Sequence, residues 1–236
     1  MRRREFWSPP FGCCRLTMIA IKAHCSRSWV LFMPPTVSAS PQPDPAIEKA
    51  VLRKRAARHR SSLMAENPLA GENLVRQLEV VLQRCGTGIY AAYLPIRSEL
   101  SPLPLVAALA ELGIATAMPV TPQPENPLTF YRWAPGMRLD DGPYNTKQPP
   151  LSNECVIPDV ILAPMLAFDA GCWRLGYGGG FYDRSIASLR NSGHEVVVIG
   201  IAFAGQQVDK VPTGPYDIAL DAVWTPDGVI WRDAAV

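Results

Sequence analysis

From Ile89 onward, short apolar runs alternate with stretches of helical period, the pattern of strands that feed helices. Ile89 to Leu94 reads as a strand. Ser101 then caps a helix that has Pro102 inside its start and Gly113 past its end, and Ile114 to Val120 is the next strand. Leu128 to Trp133 is a further strand candidate. Val160 to Ala163 is short and wholly apolar, as suits a central parallel strand, and it leads through Phe168 and Asp169 into a glycine-rich loop. Phe181 to Leu189 is predicted helical, with Gly193 as its stop. Val196 to Ile201 is a buried strand by the same criterion, and Ile218 to Trp224 forms another.

Upstream of these, Asp44-Pro45-Ala46-Ile47-Glu48 offers an N-cap, a first-turn proline and an acid, so a helix is expected to run to about Leu63. Its apolar positions Ile47, Ala50, Val51 and Ala57 make only a modest stripe. Lys49, Arg53, Lys54, Arg55, Arg58 and Arg60 are dense along it, which ordinarily means a solvated face. Lys49 and Arg53 are nevertheless four apart and share one side, where together they can reach a polyphosphate. A second helix is expected from Glu72 to Gln83. This order implies an open, mostly parallel α/β sheet with helices on both faces, a three-layer α/β/α single domain over residues 44–236.

Composition is most uneven at the N-terminus. The chain has 236 residues, 48% of them apolar, which suffices for a sizeable core, and a net charge of +2. That charge is uneven: residues 1–43 carry +5 and the remainder −3. A net-acidic body argues against broad electrostatic binding to nucleic acid. Residues 1–43 show neither period and end in a Pro/Ser-rich stretch from Met33 to Pro43, so an extension is expected, either disordered or the product of a start assigned upstream of Met33. Being acid-poor and holding Arg and Ser, it also leaves organellar targeting open beside the default cytoplasmic location. Its apolar pieces are split by Lys22, His24 and Arg27, which does not support a membrane span. Cys13, Cys14, Cys25, Cys85, Cys155 and Cys172 are scattered, without a CxxC pair or clustered His, and read as small buried thiols. A monomer or weak homodimer is expected.

The candidate chemistry concentrates in Arg174-Leu175-Gly176-Tyr177-Gly178-Gly179-Gly180-Phe181-Tyr182-Asp183-Arg184, which packs four glycines, two arginines and an aspartate into eleven residues. Such a loop brings backbone N–H groups close to an anionic ligand. No Gly-Lys-Ser/Thr follows, so it is not a Walker A loop, and it lacks the last glycine of the dinucleotide fingerprint. If the ligand is ATP, the glycine N–H groups and the following helix N-terminus would bind phosphate, with Arg174, Lys49 and Arg53 neutralising charge. Asp183 is then placed to hold Mg2+, with a second carboxylate from Asp217 or Asp221. Nothing resembles a dedicated nucleophile or a Ser-His-Asp set, so positioning and charge stabilisation carry the chemistry. A tight loop whose glycines serve turn geometry alone is the competing reading. Glu99 is either a solvated loop acid or a substrate contact. Tyr177, Phe181, Tyr182, Trp133 and Tyr144 are either core aromatics or a stacking wall for a flat heterocycle.

The segment from Arg174 to Arg184 closely resembles the signature of the 5-formyltetrahydrofolate cyclo-ligase family. Lys49-Ala50-Val51-Leu52-Arg53 is similar to that family's N-terminal KxxLR element, Tyr93-Leu94-Pro95 to Glu99 to its substrate loop, and Pro158 to Pro164 with Ala167-Phe168-Asp169 to its lead-in strand. The likeness covers residues 45 to about 231. It implies ATP-dependent, Mg2+-dependent closure of 5-formyltetrahydrofolate to 5,10-methenyltetrahydrofolate, with release of ADP and phosphate. It further implies ATP contacts from Lys49, Arg53, Arg174, Leu175, Gly176, Tyr177, Gly178, Gly179, Gly180, Phe181 and Tyr182, with Lys49, Arg53 and Arg174 catalytic. Asp183 and Asp217 match its magnesium ligands. Leu94, Glu99, Tyr144 and residues 177–181 match its folate-binding positions, Phe181 standing where a tyrosine is common. The alternatives are a family member that acts on a different formyl or carboxyl acceptor, and a folate-binding protein without catalysis.

Overall fold

The computed structural model describes residues 45–232, so the expectations for residues 1–43 and for Asp44 as N-cap lie outside the described residues. Helix α1 (Pro45–Glu66) is followed by α2 (Ala70–Leu74) and α3 (Leu78–Cys85), the last two separated by a 3-10 turn over Val75–Gln77. That turn divides the single helix expected there, yet Leu74, Leu78 and Val81 still bury one continuous stripe. Next come β1 (Tyr90–Ala91), α4 (Leu103–Glu111), β2 (Thr116–Val120) and β3 (Thr129–Arg132). A small ribbon of β4 (Asp140–Asp141) and β5 (Lys147–Gln148) precedes β6 (Cys155–Val156) and β7 (Val160–Pro164). The hairpin of β8 (Ala167–Phe168) and β9 (Arg174–Leu175) leads to α5 (Phe181–Asn191), and β10 (Val197–Ile201), β11 (Ala222–Thr225) and β12 (Gly228–Trp231) complete the order.

Eight strands form one sheet in the order β12-β11-β10-β7-β1-β2-β3-β6. The middle five run parallel and the strands at both edges antiparallel. Register follows the period-two pattern of the apolar runs. Val160, Leu162, Ile199 and Ile201 face one way, onto Leu74 of α2, Val81 of α3 and Leu105 of α4, whereas Ile161, Ala163, Val198 and Val223 face Ile186 of α5. Both faces are therefore covered, as the wholly apolar strands require. Among the described residues no helix is long and apolar enough to cross a membrane.

Two strands are shorter than their apolar runs. Pairing on β1 reaches only as far as the Ala92 N–H, which donates to the Ala117 carbonyl at 2.9 Å, because the next donor in this parallel register would be residue 119 of β2, a proline with no N–H to give. In the run from Ile218 to Trp224, the Ile218 N–H and carbonyl are engaged by Asp183 and Arg174, so regular pairing starts at Ala222. Helix α1 departs further from expectation. Ile47 and Val51 are exposed, and the buried positions are Ala56 and Arg60. Leu52, Ala56 and Ala57 pack against Leu166, Ala167, Leu175 and Val211, which seats the helix on the β8–β9 hairpin. Of the cysteines described, Cys172 is buried, Cys85 half-buried, and Cys155 exposed because β6 is an edge strand.

Candidate active site

Strand order reverses at β1, which has β2 on one side and β7 on the other. In open α/β sheets such a reversal opens a crevice beyond the carboxyl ends of the strands. Here a cleft of about 680 Å³ lies at the carboxyl ends of β1, β2 and β7, and it is lined by Lys49, Arg53, Leu94, Glu99, Tyr144, Asp217 and residues 174–183. All the positions that the family resemblance implies for ATP, folate or metal contact thus line one cavity. Asp221, the alternative second carboxylate, does not line it: its carboxylate accepts from Arg190 at 2.7 Å and from the Val198 N–H at 2.8 Å. Trp133 belongs to the core under α4.

Local chain geometry explains the glycines. Gly178 has φ +103° and Gly180 φ +67°, backbone conformations that a β-carbon disfavours. A β-carbon on Gly178 would also come within 3.3 Å of the Arg53 guanidinium, whose Nε donates to the Gly176 carbonyl at 3.0 Å. Gly180 is the N-cap of α5 and makes no side-chain cap, so the first-turn N–H groups of this helix keep their donors for a ligand in the cleft. Arg184 ties the loop from outside, donating to the Gly179 carbonyl at 2.7 Å.

Charge in the cleft is organised as opposed pairs. Lys49 is hydrogen-bonded to Asp217, which also accepts from the Gly214 N–H at 2.6 Å. Arg174 contacts Asp183 at 2.8 Å and donates to the Ile218 carbonyl at 3.1 Å. Both carboxylates are part-exposed to the cleft, at 24% for Asp183 and 27% for Asp217. Among the described residues there is no cluster of three or more His, Cys, Asp or Glu suited to a metal. Asp183 and Asp217, which line the same cleft, are the residues that would hold Mg2+, a cation that takes one or two protein carboxylates and completes its shell with phosphate oxygens and water.

Glu99 is only 7% exposed. Burial pushes its carboxyl up to about 7, opposed by a hydrogen bond from the Ile96 N–H and by the charges of Arg60 and Arg97. Tyr93 and Tyr182, near it, are raised above the usual phenol range by burial as well. Tyr177 has two guanidinium groups, of Arg60 and Arg97, each 5.4 Å from its ring centre. Sequence reasoning did not single out Arg97 and Lys147, which line the cleft, or Arg60, which lies behind it. Arg97 and Tyr144 both hold positive φ (+53° and +58°), uncommon for such residues. For Arg60 a signal existed: Lys49, Arg53, Ala56 and Arg60 are spaced four, three and four, one face of a helix.

A model of the 5-formyltetrahydrofolate cyclo-ligase family matches residues 46–226. The 5-formyltetrahydrofolate cyclo-ligase of Haemophilus influenzae is 30% identical over 176 residues, 72% of this chain and 92% of that protein. The Escherichia coli K12 protein of the same name is 34% identical over 144 residues, 59% of this chain and 78% of that one. Among solved structures, the Aquifex aeolicus 5,10-methenyltetrahydrofolate synthetase is similar with a TM-score of 0.66 at 25% identity, over 80% of this chain and 94% of that one. The fold is also that of the Mycoplasma pneumoniae 5,10-methenyltetrahydrofolate synthetase, with a TM-score of 0.60 at 20% identity over 76% of this chain and 99% of the other.

Proposed function

The chain belongs to the 5-formyltetrahydrofolate cyclo-ligase family, and from that premise we propose that it closes 5-formyltetrahydrofolate to 5,10-methenyltetrahydrofolate, with ATP as phosphoryl donor. One observation carries the reading: a single cleft holds both a glycine loop at a helix N-terminus, bordered by Lys49, Arg53 and Arg174, and a buried carboxylate, Glu99. The first suits a polyphosphate and the second the N–H donors of a pterin.

The chemistry follows from the leaving group. A formyl oxygen leaves poorly as oxide. Transfer of the γ-phosphoryl group to it forms an O–P bond as the bond from phosphorus to the ADP oxygen breaks. The N10 lone pair then attacks the activated formyl carbon, N10 gives up its proton, and the C–O bond breaks to release phosphate. Lys49, Arg53, Arg174 and the loop N–H groups stabilise charge as the phosphoryl group moves. Asp183 and Asp217 would hold Mg2+, which supplies charge neutralisation on the phosphate oxygens. Leu94, Tyr144, Tyr177 and Phe181 offer apolar and aromatic surface for the pterin and its linked ring. Every residue assigned a role lies within residues 45–232, so the reading places the activity in the α/β domain that the sequence predicts over 44–236.

Incubation with 5-formyltetrahydrofolate, ATP and Mg2+ is expected to yield methenyltetrahydrofolate absorbance and one ADP per product, with none formed when ATP is omitted. Folded protein that binds ATP but forms no product would sink the proposal in favour of another formyl or carboxyl acceptor; folate binding without ATP turnover would favour a binding protein. Gly178→Ala is expected to raise KM for ATP about tenfold, the size of 1–2 kcal/mol of backbone strain, with KM for folate changed less. Steady-state kinetics with each substrate varied in turn checks this.

A further inference from the structure

We propose that Arg60 is a positioning residue for the folate end of the cyclo-ligase site: from behind the cleft wall it fixes the residues after β1 that carry Glu99 and holds the hydroxyl of Tyr177. The inference rests on the cyclo-ligase reading of the cleft and extends it to a residue that does not line the cavity.

Arg60 is 1% exposed, and each of its three nitrogens donates to a partner. Its Nε donates to Ser98 Oγ at 3.2 Å and its Nη1 to the Met165 carbonyl at 2.8 Å, just past β7. Its Nη2 donates to the Tyr177 hydroxyl, and the Glu99 carboxylate lies 3.9 Å from Nη1. A guanidinium is costly to bury unless charge and hydrogen bonds compensate it. A tie between α1 and the sheet alone needs only the Met165 carbonyl. The remaining contacts go to Glu99, Tyr177 and the neighbour of Glu99, so they converge on two cleft-lining side chains from different segments. Arg60 also continues the face of Lys49 and Arg53, about 16 Å and 10 Å further along α1 at 1.5 Å per residue. One helix thereby carries cations for the nucleotide end and the support for Glu99.

The charged and titratable groups facing Glu99 are Arg60 from α1, Arg97 from its own segment, Tyr93 after β1 and Tyr182 from α5. Arg60 holds the carboxyl down against burial, so its loss is expected to raise the pH at which Glu99 ionises.

The test is kcat/KM for 5-formyltetrahydrofolate against pH, with KM for both substrates, in wild type, Arg60→Gln, Arg60→Lys and Tyr177→Phe. Arg60→Gln is expected to move the acidic limb upward by about one pH unit, since a neighbouring cation lowers a carboxyl by about 1–3. It also raises KM for folate about tenfold while KM for ATP stays within about twofold, the size of one lost charged contact. Arg60→Lys keeps the charge and loses the fork, so the limb stays in place and part of the folate affinity returns. Tyr177→Phe leaves the limb in place. An unmoved limb in Arg60→Gln, or both KM values rising together with a lower melting temperature, overturns the proposal. If Arg60→Gln does not fold, Arg60→Lys decides: equal losses for both substrates overturn it, a folate-selective loss supports it. Wild-type protein without turnover of 5-formyltetrahydrofolate instead overturns the cyclo-ligase reading beneath it.

Discussion

Asp183→Asn is expected to lower kcat for 5-formyltetrahydrofolate cyclisation by about 10²- to 10³-fold, the loss seen when one preorganised contact to developing charge is removed. Two effects combine. The carboxylate is one of two that would hold Mg2+, and asparagine is a far weaker ligand for a hard cation. Asp183 also faces Arg174, whose side chain is only 5% exposed, at 2.8 Å. Without its partner the guanidinium is left as an uncompensated charge in the cleft wall, which disorders the entry to the glycine loop. The amide oxygen can still accept from the Ile218 N–H, which Asp183 engages at 3.1 Å, so the turn before β11 should persist. Melting temperature measured with ATP, with and without Mg2+, separates the two causes. In wild type Mg2+ should enlarge the ATP-induced rise, and in Asp183→Asn that increment should vanish. Turnover within about threefold of wild type, smaller than one lost charged contact, would remove Asp183 from the machinery. Lost turnover with an intact Mg2+ increment would make it the structural partner of Arg174 alone.

How much of this was legible in the sequence depended on whether the signal was local. The strands at 160–164 and 197–201 are wholly apolar because both faces are covered, and their runs coincide with the observed elements to within about a residue at either end. Edge strands were less legible. β6 is only two residues long, and the apolar run Val229-Ile230-Trp231 of β12, which follows the turn residues Asp227-Gly228, is a signal the sequence reading did not use. The glycine loop was legible because its positive-φ positions, 178 and 180, leave little choice of residue. Arg60 was not, because composition treats a basic helix as solvated, while its burial is decided by Met165, Ser98 and Tyr177, 105, 38 and 117 positions away in the chain. Glu99 stood between two readings for the same reason: whether a loop acid is solvated or buried is settled by what packs over it.

That burial leads to the second large effect, in which activity and stability move in opposite directions. The Glu99 carboxyl sits at about 7 in the folded protein against an ordinary value of 4.5. The folded state therefore binds the proton more tightly than the unfolded chain. Stability from this group is fully present below the unfolded value, declines as pH rises, and is lost once pH passes about 7. Glutamine imitates the protonated acid, with Arg60 still in place. Glu99→Gln is expected to be more stable than wild type at pH 8 by roughly 3 kcal/mol, with the difference closing toward pH 4.5. Catalysis should go the other way. An ionised carboxylate accepts two N–H bonds from the pterin where an amide offers one oxygen and a mismatched donor, so kcat/KM for folate is expected to fall about 10- to 100-fold. The wild-type profile should rise through neutrality as Glu99 ionises, and the variant's should lose that limb. Urea unfolding at pH 5 and 8, alongside kcat/KM over the same range, measures both. A variant less stable than wild type at pH 8 would mean that pairing with Arg60 and Arg97 outweighs the desolvation of Glu99, and an unchanged limb would place the ionising group elsewhere in the cleft.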